Sequence, residues 1–371
     1  MRTLLFGLFL LLSIVASAQN YFLFIGTYTG TGSKGIYVYR FNASTGKATW
    51  ISNTDSVVNP SYLAIAPGGK FLYACTETRT ANAGGVTAFG FNRSSGKLTL
   101  LNKQSSGGDN PAYVSVHKSG KWVMAGNYSG GSLAAFPVAS DGSLQRYSQL
   151  IEHTGKGINE ARQEKAHVHA TVFSPAHDQL FVPDLGIDKV MIYNVSAAST
   201  KPLKPASVPA AISSPGSGPR HFEFHPNGKW AYLIEEMAGA VVVYQYKGKN
   251  LQQSQRIFTH PDTASGPFGS ADIHVSPDGN FLYASNRSKE NNIAIFKINK
   301  ATGGLSTVGY QSTMGQTPRN FCIDPTGNFL LAANQESGNV VIFKRNLKTG
   351  LLTNTGEELK IPKPVCLKMM K

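Results

Sequence analysis

Apolar and polar positions alternate along this chain in short runs, and the runs recur. From residue 60 onward one phrase returns six times. It has an opening residue, most often proline, then alternating apolar positions, a Pro-x-Gly turn or its equivalent, and a second apolar run. The copies are PSYLAIAPGGKFLYACTE from Pro60, PAYVSVHKSGKWVMAGNY from Pro111, VHATVFSPAHDQLFVPDL from Val168, PRHFEFHPNGKWAYLIEE from Pro219, SADIHVSPDGNFLYASNR from Ser270 and PRNFCIDPTGNFLLAANQ from Pro318. Period-two alternation bounded by turn residues predicts strands. The openings lie 51, 57, 51, 51 and 48 residues apart. A period near 50 built from strands is that of a propeller blade.

Each copy continues alike. A third apolar run follows, as in AVVVYQY (240–246), NIAIFKI (292–298) and NVVIFKR (339–345). Then comes a glycine-bearing turn such as Ser44-Thr45-Gly46-Lys47 or Lys348-Thr349-Gly350, and a fourth strand. The ends complete the count. YFLFIGTY (21–28) matches a second strand and GIYVYRF (35–41) a third, while the missing first strand reappears at the other terminus as Pro364-VCLKM. The expectation is an all-β, seven-bladed β-propeller with four antiparallel strands per blade. The C-terminal strand joins the N-terminal blade to close the ring, which leaves only short, protected edges. No linker divides residues 19–371, so they form one propeller domain.

Composition agrees with that pattern. Of 371 residues, 41% are hydrophobic, 15% are charged and 38 are glycine, which suits a turn-rich all-β protein. The net charge of +14 raises the question of an anionic partner. No Lys/Arg run makes a patch and no nucleic-acid motif is present, so no nucleic-acid partner is expected. Arg2, the apolar stretch Leu4 to Val15 and Ala16-Ser17-Ala18 read as a secretory signal peptide over residues 1–18, cut before Gln19. The apolar stretch is shorter than the roughly 20 residues a spanning helix needs. A secreted or periplasmic monomer with no membrane span is the expectation. Cys75, Cys322 and Cys366 lie in strand-like runs without a CxxC and read as small buried residues.

The repeat allows blades to be compared position by position. Just after each opening stand Ser61, Ala112, His169, Arg220, Ala271, Arg319 and Val365. Just past each second strand stand Tyr28, Glu77, Tyr128, Leu185, Glu236, Arg287 and Gln335, whose polar character fits one rim of the channel. One position earlier, Thr27, Thr76, Asn127, Asp184, Glu235, Asn286 and Asn334 read as turn residues that bond their own backbone. Convergence at matched positions marks His169, Arg220, Glu236, Arg287 and Arg319 as a candidate site. Glu77, Tyr128 and Gln335 join them on the rim. His167 shares a face with His169, two residues on in an extended chain. Two imidazoles alone do not make a metal site, and no further ligand stands out, so neither metal nor cofactor is expected. His221 and His225 read as structural. No G-x-S-x-G elbow supports a serine hydrolase.

The stretches HVHATVFSP, LFVPDLGIDKV, GPRHFEFHPNGKWAYLIEE, SADIHVSPDGNFLYASNR and TPRNFCIDPTGNFLLAANQ, with the opening IGTYTG and closing KPVCLKM, resemble the propeller-type lactonase family. That family includes bacterial 6-phosphogluconolactonases and the related carboxy-muconate cyclising enzymes of fungi. The resemblance spans residues 21 to 369. It implies a carboxylic ester hydrolase that opens a sugar lactone without a required metal, acting on an anionic substrate such as 6-phosphoglucono-1,5-lactone of the pentose phosphate pathway. It places the catalytic set on His169, Arg220, Glu236 and Arg287, with Arg319, His167, Glu77, Tyr128 and Gln335 left to bind substrate. Either His169 or Glu236 would be the base, Arg220 would stabilise the oxyanion, and Arg287 or Arg319 would hold the substrate's anion. Family members often have Asn-Glu where this chain has Glu235-Glu236, which adds a carboxylate. A lactonising cycloisomerase acting on a dicarboxylate and a non-catalytic periplasmic binding propeller are the alternative readings.

Overall fold

A computed structural model describes residues 19–30, 32–78, 80, 81 and 83–371. The secretory leader expected at residues 1–18 lies outside the described residues. The alternating runs form seven four-stranded antiparallel sheets. In each, the first strand lies innermost and the fourth outermost. Blade 5 is representative: Pro219–Phe224, Trp230–Glu235, Ala240–Lys247 and Asn250–Phe258, in that spatial order. Blade 1 is the shared one. Its first strand is the C-terminal Pro364–Met370, which pairs with Asn20–Thr27. The first and last described strands thus hydrogen-bond to each other and the ring has no open seam.

Five of the seven second strands are buried along their whole length, as in Trp122–Asn127, Trp230–Glu235 and Phe281–Asn286, and the other two expose only their first residue in full or in part. Both faces of a blade pack on neighbours, so these runs are continuously apolar instead of alternating. The cores lie between blades. Trp230, Tyr232, Val241 and Val243 of blade 5 pack against Ile273, Leu282, Ala294 and Phe296 of blade 6. A fully buried side chain of this kind contributes about 1.5–3 kcal/mol. The tyrosines of three second strands latch blades together. Tyr73, Tyr232 and Tyr283 donate their hydroxyls to the carbonyls of Gly142, Gly303 and Gly350 in the outer turn of the next blade.

One irregularity recurs at the top of the first strands. In blade 5, Pro219 pairs with Glu235 but His221 pairs with Ile234, which leaves Arg220 unpaired. The same bulge singles out Ala112 between Pro111 and Tyr113, Arg319 between Pro318 and Asn320, and Val365 between Pro364 and Cys366. A bulge turns one side chain out of the alternating pattern. Four of the seven matched residues of the sequence repeat, Ala112, Arg220, Arg319 and Val365, are therefore bulge residues. Blade 4 departs further. Its first strand is only Val172–Phe173, so His169 precedes it and is held by its N–H on the Pro183 carbonyl at 2.9 Å. Pro183, within the neighbouring strand, has no N–H to continue the ladder. The three cysteines are buried and unbridged. No helix among the described residues is long and apolar enough to cross a membrane.

Candidate active site

The second strands end around one mouth of the central channel. There Tyr28, Glu77, Tyr128, Glu236, Arg287 and Gln335, each the first residue past its strand, line a cavity of about 720 Å³ with His169 and Arg319. Leu185, at the matching position of blade 4, is buried beneath it. The volume suits a sugar-sized ligand.

Glu236 is the hub. Its Oε2 accepts from Arg220 Nε at 2.9 Å and lies 3.2 Å from Arg287 Nη2, while Oε1 accepts from Arg162 Nη2 at 2.7 Å. Burial alone would raise the Glu236 pKa. Arg287, Arg220, His169 and Arg162 outweigh it and hold the carboxyl well below its usual range. A carboxylate bound by three guanidiniums is a poor proton acceptor. Arg220 is enclosed behind Glu236, at 1% exposure, and does not line the cavity. Its Nη1 also donates to the Ala271 carbonyl and to His221 Nε2. Arg220 is thereby a fixed support for Glu236 and does not reach the cavity, where the oxyanion role expected of it would need a donor.

His169 is the opposite case. It is buried, its Nε2 stands 3.9 Å from Glu236 Oε2, and its Nδ1 has no hydrogen-bond partner. Burial, then Arg220 and His221, push its pKa well below the ordinary imidazole value, so the ring is neutral. Tyr128 packs edge-on against it at 5.3 Å. His167 faces away from the cavity. It stacks on Tyr128, with Nδ1 on the Tyr128 carbonyl and Nε2 on Glu164, and is not among the residues that line the cavity.

Across the cavity sits a second polar group. Tyr28 donates to both carboxylate oxygens of Glu77, at 2.9 and 3.0 Å. The Arg319 guanidinium lies over the Tyr28 ring at 5.5 Å. It makes no hydrogen bond or ion pair to any described residue, although burial would favour one. Tyr28, Glu77 and Glu236 keep it charged against that burial. Three arginines, Arg162, Arg287 and Arg319, thus line the cavity against Glu77 and Glu236, with Arg220 behind them, and Arg319 has all its donors free. Such a site is short of negative charge.

The repeat comparison missed Arg162. It sits on the segment between blades 3 and 4, where the interval is the longest, 57 residues. That excess was the available signal. The segment is tied down by Gln163, whose amide donates to the Leu185 carbonyl at 2.8 Å, and by Asp184, which accepts from the N–H groups of His167 and Gly186. Gly186 is required here, because a Cβ on it would lie 1.8 Å from the Lys165 carbonyl oxygen.

Two other expectations need correction. The row from Thr27 to Asn334 does not chiefly bond its own backbone. Asn127, Asn286 and Asn334 donate to the carbonyls of Ser106, Thr259 and Thr313, which ties each of these second strands to the exit of the fourth strand of the preceding blade. The extra carboxylate, Glu235, does not alter the site's charge. Consecutive strand residues face opposite ways, and Glu235 pairs with Arg256 of the outer strand at 2.8 Å. Among the described residues no group of three or more His, Cys, Asp or Glu is placed to hold a metal ion.

Fold and site together define a seven-bladed propeller whose channel mouth holds an arginine-rich cavity beside a neutral histidine. The chain belongs to the lactonase, seven-bladed β-propeller family, whose model matches residues 22–369. It is similar to the 6-phosphogluconolactonase of Formosa agariphila, 41% identical over 341 residues that cover 91% of this chain and 96% of that one. The 6-phosphogluconolactonase of Bacillus subtilis is 37% identical over 353 residues, covering 95% and 99%. The solved periplasmic gluconolactonase of Pseudomonas aeruginosa superposes with a TM-score of 0.89 at 34% identity, covering 95% and 99%.

Proposed function

We propose that this protein hydrolyses an aldonolactone carrying an anionic group, with 6-phosphoglucono-1,5-lactone as the best substrate. The observation that carries the reading is the pairing of a neutral, unpartnered His169 with an unpartnered Arg319 on opposite sides of one cavity. Water adds to the lactone carbonyl while His169 takes its proton. Arg287 and Arg162, which line the cavity, donate to the oxygen that gathers charge. The tetrahedral adduct then breaks its ring C–O bond, and the ring oxygen leaves as a hydroxyl with the proton His169 had taken. Arg319 binds the phosphate, where a guanidinium offers two parallel N–H donors. Tyr28 and Glu77 contact the sugar hydroxyls. Glu236 does no proton transfer and keeps the arginines in place.

The likeness to a periplasmic gluconolactonase and the leader-like residues 1–18 support a secreted or periplasmic location. There an unphosphorylated lactone from sugar oxidation is the competing substrate. The test is hydrolysis of freshly made 6-phosphoglucono-1,5-lactone beside glucono-1,5-lactone, with the spontaneous rate subtracted. Faster turnover of the phosphorylated lactone is expected. A preference for the plain lactone would remove the phosphate from the reading, and no enhancement on either would overturn the lactonase assignment.

A further inference from the structure

Beneath the cavity, one buried carboxylate joins four blades. Asp272, on the first strand of blade 6, takes the Nδ1 proton of His221 on Oδ1 at 2.7 Å. Its Oδ2 accepts from the Asn320 side chain, from the Phe321 N–H at 3.2 Å and from His274 Nε2 at 3.1 Å. Asn320 in turn accepts, at 2.6 Å, from the N–H of Leu367 on the strand that closes the ring. Above, His221 Nε2 meets Arg220 Nη1 at 3.2 Å, and Arg220 Nε meets Glu236 at 2.9 Å. Asp272, Asn320, His221 and Arg220 are all buried.

We propose that His221 and Asp272 are positioning residues for Arg220, and through it for Glu236 and the arginines that line the cavity. This deepens the lactonase reading and rests on it for the catalytic readout. A guanidinium can only donate, so Arg220 requires a lone pair on His221 Nε2. The single proton of a neutral imidazole must then sit on Nδ1, where the Asp272 carboxylate accepts it. Asp272 therefore selects the tautomer, and the tautomer aims Arg220. Burial and Arg220 also lower the His221 pKa, to about 3, which keeps the ring neutral despite Asp272. Asp272 cannot be exchanged for an amide without conflict. Oδ2 faces three donors and Oδ1 faces a fourth, so an amide NH2 must oppose one side. Packing alone does not need this chemistry. The His221 ring lies edge-on to Tyr62 and Tyr113, and a phenyl ring would fill the same space.

Three variants and one spectrum test the proposal. Asp272→Asn and His221→Phe are expected to lower kcat roughly tenfold to a hundredfold with KM within a few-fold, the scale of supporting-residue effects. His221→Gln, which returns an acceptor oxygen near the Nε2 position, is expected to regain most of the turnover that His221→Phe loses. Nitrogen-15 chemical shifts of the native protein are expected to show His221 protonated on Nδ1 alone. An Nε2–H tautomer in the native protein, or full kcat in His221→Phe, would overturn the proposal. The tautomer is read without any substrate. A native protein that opens no lactone would therefore sink the lactonase reading while the spectrum still decides this one.

Discussion

Blades 5 and 7 carry the same local phrase, Pro-Arg at a bulge atop the first strand, and use it in opposite ways. Arg220 of blade 5 is enclosed, with Glu236, His221 and the Ala271 carbonyl all taking its protons. Arg319 of blade 7 has its donors free and faces the cavity. The backbones match, since both arginines are the unpaired residue of the same bulge. The neighbours differ. Where blade 5 has Glu236 past its second strand, blade 7 has Gln335, which bonds to Glu336 instead. Where blade 5 has His221, blade 7 has Asn320, which is committed to Asp272 and Leu367. One repeated position has thus been made a fixed support in one blade and a free guanidinium facing the cavity in another, with two neighbouring residues different in each.

The largest effect should come on the fixed side, at the group that blade 5 surrounds but does not pair. His169→Asn is expected to lower kcat by about a hundredfold to ten-thousandfold, the usual worth of a general base. Burial, Arg220 and His221 lower the His169 pKa, and the base is active only when neutral. Activity therefore stays level as pH falls through the ordinary imidazole value of 6.5 and declines only below it. A decline centred at or above 6.5 in kcat/KM would mean that another group is the base.

Next comes the separation of the two arginines. Arg220→Met removes a buried partner of Glu236, and breaking such a pair costs about 3–5 kcal/mol. Both melting temperature and kcat should fall, the latter by about a hundredfold. Arg319→Gln loses no hydrogen bond or ion pair, only the contact with the Tyr28 ring, so its melting temperature should fall far less. KM for the phosphorylated lactone should rise roughly tenfold to a hundredfold, in keeping with the loss of a charge-assisted pair. KM for the plain lactone should change far less. Similar melting temperatures for the two variants would erase the distinction between support and binding group. The substitution Gln335→Glu sharpens it, since a carboxylate placed as Glu236 is should capture Arg319 and raise KM without removing any arginine.

How much of this was legible in the sequence follows from the same pair of blades. The repeat that contains Pro219-Arg220 and Pro318-Arg319, with its split copy at residues 21–41 and 364–369, predicts blade number, ring closure and most of the residues at the mouth, because a repeat places equivalent backbone positions equivalently. It could not tell enclosed from free. That depends on contacts between blades, such as Arg220 to Ala271 and Asp272 to Asn320, that no period within one blade encodes. His167 was misplaced for a local reason: period two put it on the face of His169, but the short first strand of blade 4 breaks that alternation. Arg162 escaped because it lies on an insertion, where there is no equivalent position to compare. His221 was read as a structural residue, and its ring does pack like one. Its edge-on contact with the His169 ring and the direction of its two nitrogens connect it to the site.

The smallest effect should come from the other side of blade 5, at Glu235. It is adjacent in sequence to the hub of the site, and by proximity alone its loss should matter. Strand geometry argues otherwise. Glu235 is buried against Arg256, whose side chain is 28% exposed, and one of its own oxygens has no partner. Burial raises its pKa despite Arg256, the mark of a carboxylate only partly compensated. Glu235→Gln therefore removes a costly buried charge, and the arginine left behind can turn to water. Melting temperature should shift by no more than the equivalent of about 1 kcal/mol, in either direction, because a half-solvated pair is worth little. Turnover should be unchanged, since no contact links Glu235 to Glu236, Arg220 or His169. A tenfold fall in kcat at unchanged melting temperature would mean that both carboxylates serve the cavity, and that the separation of faces in this strand is not what divides support from chemistry.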